Sequence, residues 1–236
     1  MLRKIIWTAW LSLMATLNFA AQINVSPLSV DFMPQGEKFA DIQVMNTSQE
    51  TAYVQIQLTR IDHPGMPNQT VVPFNNDPQT FGLMASPNKV AIPAQQLRRI
   101  RLLPLVKNNM QDVYFQVKVT PVSGEIESLL SPDKKISAGV QIIVGYEVKV
   151  FVRPPNAQAV VSISRNSNQV TVSNTGNSSI LLSNGQQCDT TSQKCTPIAN
   201  PTHRLFSGNT WNFTVNPAPV EFTESFMGKT QTLKSN

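Results

Sequence analysis

The sequence predicts an all-β protein of two antiparallel β-sandwiches joined at an elbow, giving a boomerang outline. Three observations predict it. Short runs that alternate apolar and polar residues recur along the chain, each closed by Pro, Gly or Asn turn residues. Pro is abundant, at 17 residues, and no Ala-Leu-Glu-Lys helix block interrupts the pattern. Without a leader, about 215 of the 236 residues remain, which suits two sandwiches of roughly 100 residues each.

The chain opens with the order of a secretory signal peptide over residues 1–21. Met-Leu-Arg-Lys is basic, residues 5–17 are uncharged and mostly apolar, and Ala20 and Ala21 are small. The apolar run is shorter than the 20 or so residues of a spanning helix. Asn18 or Phe19 stands three residues before the cut, where a small residue is preferred, so an uncleaved anchor is the alternative. No later segment is apolar enough to cross a bilayer, so no stable membrane insertion is expected of the mature chain.

Residues 23–32 read as extended. Residues 41–46 alternate and end on an Asn-Thr-Ser turn. Residues 52–59 place Val54, Ile56 and Leu58 on one face and Tyr53, Gln55 and Gln57 on the other, a strand half-buried against a core. His-Pro-Gly-Met-Pro at 63–67 opens a loop, and strands resume at 89–92, 97–103 and 113–120. The longest run, 136–153, ends at Pro154-Pro155, a pair that disfavours further strand and makes an inter-domain elbow. The expected domains are therefore 22–154 and 155–236. In the second, strands are expected at 159–164, 169–174, 179–183 and 210–215.

Composition excludes several function classes. Loss of Arg3 and Lys4 with the leader reduces 19 basic residues to 17, against 14 acidic ones, and the charge is spread evenly. Nucleic acid needs a concentrated basic stripe, so none is expected as partner. Neither histidine sits in a catalytic setting: His63 lies in a Pro-Gly turn and His203 follows Asn-Pro-Thr. No G-x-S-x-G, H-E-x-x-H, metal-spaced cluster or phosphate loop occurs. No enzyme activity, cofactor or metal is expected. Cys188 and Cys195 are the only cysteines, and an isolated even pair in an exported chain implies a disulfide. A metal clip or redox pair is disfavoured, because there is no CxxC and no neighbouring His. The Asn-x-Ser/Thr sequons at Asn46, Asn68, Asn177 and Asn212 reflect turn composition.

The segment 136–153 is the most informative. Every even position from Ile136 to Val152 is apolar, while most odd positions are polar or Gly, Ile143 and Phe151 excepted. A strand of that length is about three times the usual five or six residues. It is either a long core strand or an edge whose first half protrudes. Proteins normally blunt long apolar edges, because these recruit other chains, so a retained one points to β-augmentation.

At this point the residues resemble a family. Val-Lys-Val-Phe-Val-Arg-Pro at 148–154 is similar to the end of the G1 strand of PapD-like pilus chaperones. Ser-Pro-Asn-Lys-Val-Ala-Ile-Pro-Ala at 86–94, followed by Leu-Arg-Arg-Ile-Arg-Leu at 97–102, resembles a second stretch of that family. Asp-Val-Tyr-Phe-Gln-Val-Lys-Val-Thr-Pro at 112–121 resembles its F1 strand. Val-Ser-Asn-Thr-Gly-Asn at 172–177, with the two cysteines, is similar to the alternate branch serving colonisation-factor and common-pilus fimbriae. The resemblance spans almost the whole mature chain.

It implies immunoglobulin-like sandwiches, a periplasmic location, and pilin subunits and an outer-membrane usher as partners. The implied activity is donor-strand complementation, in which the chaperone lends a strand to an incomplete pilin. Val140, Ile142 and Val144 match the aliphatics that fill the pilin groove, Lys149 the lysine that binds the pilin's C-terminal carboxylate, and Arg153 an arginine at the domain junction. Two positions depart from the pattern. The family pairs that lysine with a first-strand arginine, but here the stretch reads Pro-Leu-Ser-Val at 27–30, leaving Arg98, Arg99 or Arg101 as replacements. The acidic F1 partner of Arg153 has no clear match around 110–112. A secreted structural pilin or adhesin is the alternative function, and a dimer that caps its own strand is left open.

Overall fold

The computed structural model describes residues 22–122, 143–188 and 194–235. The expected leader, the first half of the 136–153 run, and Val140 and Ile142 within it, lie outside the described residues. Eighteen strands and one short helix make up the described fold.

The first sandwich begins with β1 (Ile23–Ser26) and β2 (Ser29–Phe32). These form one extended stretch in the sequence but belong to different sheets. Pro27 has no N–H to give a ladder, and the chain changes sheet there. Then follow β3 (Ala40–Asn46), β4 (Ala52–Asp62), β5 (Thr70–Pro73), the single turn α1 (Pro78–Phe81), β6 (Leu83–Ser86), β7 (Lys89–Ile92), β8 (Leu97–Pro104), β9 (Val113–Val122) and β10 (Tyr146–Val152). One sheet runs β1-β3-β8-β6, and the other β2-β10-β9-β4-β5 with β7 also on β4. β10 lies antiparallel to β9 and parallel to β2.

Alternation explains the packing. Val54, Ile56 and Leu58 of β4 are buried, as the pattern requires, with Ile42 and Val44 of β3, Ile100 and Leu102 of β8, and Val117 and Val119 of β9. The even positions Val148 and Val150 of β10 are fully buried in the same core. Asn46 closes β3 with a buried side chain that donates from Nδ2 to Glu50 O at 2.7 Å and Ile92 O at 2.8 Å. That pairs otherwise orphaned carbonyls, and it explains why Asn stands at this turn.

The second sandwich contains β11 (Val161–Asn166), β12 (Gln169–Asn174), β13 (Ile180–Cys188), β14 (Cys195–Pro197), β15 (His203–Leu205), β16 (Thr210–Thr214), β17 (Val220–Phe226) and β18 (Lys229–Lys234). The sheet β11-β12-β16 faces β14-β13-β17-β18, with β15 on β13. Val170, Val172, Leu182, Leu205, Val220 and Phe222 form its core. Cys188 and Cys195 are register partners on β13 and β14 and form the expected disulfide.

Candidate functional site

The site is built on β10. Within this strand the even-numbered side chains enter the core: Val148 and Val150 are 0% exposed. Val144 continues that even-numbered row, yet it is 59% exposed, and its neighbour Ile143 is 41% exposed. The described strand starts only at Tyr146, whose Oη donates to Asn24 Oδ1 at 3.1 Å. The apolar row thus continues past the rim of the sandwich, where neither sheet covers it.

The odd-numbered face of β10 behaves differently along its length. Glu147 and Lys149 are exposed, but Phe151 is fully buried. Tyr114 of β9 stacks on Phe151 with ring centroids 4.9 Å apart, and Phe206 of the second sandwich covers both at 5.4 and 6.4 Å. Ile61 of β4 completes this small cluster. The outer face of a sheet is therefore buried at one end, where the second sandwich rests on it.

Arg153 lies just beyond β10 at the junction, and its side chain is 3% exposed. It donates from Nε to Asp31 Oδ1 at 2.7 Å, and from Nη1 to Asp112 Oδ2 at 2.5 Å and Ser179 O at 2.9 Å. Ser179 N donates to the same Asp112 Oδ2 at 2.6 Å, and Asp112 N donates to Asn177 O at 3.1 Å. The acidic partner that the sequence leaves unmatched is thus Asp112, joined by Asp31 of β2. No spacing rule links 31, 112 and 153; sheet pairing brings them together.

Lys149 faces out between Ser29 of β2 and Gln116 of β9. Among the described residues no carboxylate forms an ion pair with it. The three proposed replacements for the missing arginine lie elsewhere: Arg98, Arg99 and Arg101 are all on β8, in the opposite sheet. Arg101 is also occupied, donating to Asp41 at 2.8 and 3.0 Å and lying 4.0 Å over the Phe39 ring. The Asp41 hydrogen bond raises the Arg101 pKa, and the same bond lowers that of Asp41.

Over the buried Phe151 end of that face lies Arg204 of β15, which the sequence did not single out. Its guanidinium lies 4.4 Å over the Phe151 ring, and Nη1 donates to Ser179 Oγ at 3.4 Å. Burial pulls its pKa below the ordinary arginine value; Asp31 opposes this and Arg153 adds to it. Burial likewise raises the Tyr114 phenol.

A cleft of about 940 Å³ lies beyond the Phe206 contact and is lined by Arg60, His63, Lys107, Asp112 and Ser207 among others. It contains neither Val144 nor Lys149, so it is not the site the strand pattern indicates. Among the described residues no cluster of three His, Cys, Asp or Glu is placed to hold a metal, and no helix is long and apolar enough to cross a membrane.

No protein-family model matches the chain. Among curated proteins it is 24% identical over 177 residues to a CS1 fimbrial subunit of Escherichia coli, covering 74% of this chain and 72% of that one. It is 25% identical over 166 residues to a CFA/I fimbrial subunit of Escherichia coli, covering 70% and 68%. Among solved structures, the class 5 fimbriae chaperone CfaA superposes with a TM-score of 0.63 at 20% identity, covering 90% of this chain and 97% of that one. The Escherichia coli chaperone DraB gives 0.63 at 16% identity, covering 92% and 96%. A chain from the Salmonella enterica complex of SafA pilin with the SafB chaperone gives 0.64 at 14% identity, covering 93% and 97%. The chain therefore has the two-sandwich fold of the PapD-like fimbrial chaperones, as its strand motifs indicate.

Proposed function

We propose that this protein is a periplasmic pilus chaperone that binds pilin subunits through the long 136–153 run, of which β10 is the end, and escorts them to an outer-membrane usher by donor-strand complementation. One observation carries the reading. The even-numbered apolar row that fills the core at Val148 and Val150 continues at Val144, which is 59% exposed. A pilin whose fold lacks a strand presents an open groove, and this row, continued in the sequence by Ile142 and Val140, has the spacing to fill it. Each aliphatic buried there contributes about 1.5–3 kcal/mol. Backbone pairing supplies register. Lys149, exposed and without an ion pair among the described residues, is the anchor for the pilin's terminal carboxylate through a charge-assisted hydrogen bond. Arg153 holds the two sandwiches at a fixed angle and takes no part in capture.

The curated relatives are fimbrial subunits by name, which favours a second reading in which the chain is itself a component of the fibre. The solved chaperones support the first, because each covers both sandwiches of this chain. Co-expression with a pilin separates the two. A chaperone co-purifies from the periplasm as a soluble complex and is absent from sheared fibres; recovery of the chain within the fibres would establish the structural reading.

A further inference from the structure

A second contact between the sandwiches lies away from Arg153. The loop that joins β4 to β5, residues 63–69, carries the His-Pro-Gly-Met-Pro run and reaches the turn 206–209 between β15 and β16. Asn209, only 7% exposed, donates from Nδ2 to Pro64 O at 3.2 Å. Gly65 and Met66 close on the same turn. A Cβ on Gly65 would overlap Asn209 Oδ1, and one on Gly208 would come within 2.9 Å of Met66 Cε. Both glycines also have positive φ, 73° and 74°, so a side chain at either place is strained as well as crowded.

Each partner is braced before the two meet. Met66 N donates to His63 O at 3.1 Å, Gln69 N to Met66 O at 3.0 Å, and Gly65 N to Gln69 Oε1 at 2.8 Å, while Pro64 and Pro67 restrict φ. Opposite them, Gly208 N donates to Asn174 O at 2.8 Å, Asn174 N to Asn209 O at 3.0 Å, and Ser207 Oγ to Gly176 O at 2.7 Å. Turns already formed lose little conformational entropy on docking, so a small contact between them holds. Position matters as much as rigidity. β4 stands two strands from β10 in the order β10-β9-β4, about 10 Å across the sheet. Phe206 rests on Tyr114 of β9 between them. Arg153 alone would leave the second sandwich free to swivel about one point, and a contact two strands away removes that freedom.

We infer that the 63–69 loop is a latch on the second sandwich, and that with Arg153 it fixes the angle at which that sandwich flanks β10, which makes it a positioning element for pilin capture. The positioning role rests on the strand-capture reading above; the latch itself does not.

The test attaches spin labels to the full mature chain through Gln43→Cys on β3 and Thr230→Cys on β18, both exposed positions, since Cys188 and Cys195 are bonded to each other and take no label. Double electron–electron resonance then reads the distance between the sandwiches. Wild type is expected to give one narrow distribution. Gly65→Val, which forces the loop off Asn209, is expected to broaden it about twofold or more, and Met66→Ala, which removes the contact with Gly208, to broaden it less. Asn68→Ala, on the same loop but outside these contacts, is expected to match wild type. Circular dichroism checks that each variant is folded; should Gly65→Val misfold, Met66→Ala decides. Capture of a co-expressed pilin is expected to fall about threefold or more in Gly65→Val, because the angle must then be fixed on binding. An unchanged distribution in the folded variants overturns the latch, as does equal broadening by Asn68→Ala. A broadened distribution with undiminished capture overturns the positioning role. Absence of capture by wild type overturns strand capture, and the distances still decide the latch.

Discussion

Arg153 Nη1 and Asp112 Oδ2 meet at 2.5 Å at the joint between the sandwiches, and the Ser179 backbone closes on both from the second sandwich. The two side chains are 3% and 6% exposed, so Arg153 neutralises an otherwise lone buried carboxylate at Asp112, while Asp112 and Asp31 share the charge of Arg153. Breaking a buried pair typically costs about 3–5 kcal/mol. Asp112→Ala is therefore expected to be strongly destabilising, with Asp31 retaining part of the charge balance. Urea denaturation followed by tryptophan fluorescence measures this; a loss below about 1 kcal/mol would show that the junction tolerates an unpaired Arg153.

The disulfide acts on the second sandwich alone. Cys188 and Cys195 close a short loop between β13 and β14, for which chain-entropy estimates give about 2–3 kcal/mol. Thiol titration of the protein unfolded without reductant is expected to find no free cysteine. Reduction is expected to lower the melting temperature of the second sandwich and leave the first intact. Two titratable thiols in unreduced protein isolated from the periplasm would contradict the pairing.

His203 gives the second sandwich a pH dependence of known sign. It stacks on Trp211 with centroids 4.4 Å apart, and burial lowers its pKa below the model-peptide value near 6.5. The unfolded chain therefore binds the proton first. Stability contributed by neutral His203 is complete above the unfolded pKa and is lost as pH falls through the lower folded one. The second sandwich is expected to melt lower at pH 5 than at pH 7.5, with His203→Gln flattening the difference. A melting temperature that rises on acidification would reverse the sign.

Local patterning made much of the fold legible. Val54, Ile56 and Leu58 are buried while Tyr53 is 59% exposed, because period-two alternation against a single core fixes each face. The same rule missed β17: Val220 and Phe222 alternate, but Glu224 then takes a buried position with Gln231 Nε2 donating to it, and a charge in the pattern hides the strand. The 23–32 stretch looked continuous because both halves alternate, and only the sheet order shows the switch at Pro27. The charged part of the site was the least legible. Asp31, Asp112 and Arg204 meet around Arg153 and Phe151 through pairings between distant segments, and no local spacing encodes that meeting. The aliphatic row was legible for the opposite reason, since all its members belong to one strand.

That row supplies the sharpest prediction. Val144 and Val150 share parity on one segment, and differ in that Val150 is fully buried while Val144 is 59% exposed. If exposed members of the row are a binding surface, the same substitution must act differently at the two places. Val150→Asp buries a carboxylate in a core shared with Val117 and Val148, with no cation to meet it, and is expected to unfold the first sandwich. Val144→Asp leaves a charge in water, and is expected to change stability by no more than about 0.5 kcal/mol. It is expected to abolish pilin capture all the same, because in the complex the carboxylate would enter an apolar groove unpaired. Thermal melting of both variants, beside co-purification of a co-expressed pilin, checks the contrast. Full capture by Val144→Asp would remove the exposed row from the mechanism. Equal loss of stability at 144 and 150 would show that the row is core along its whole length.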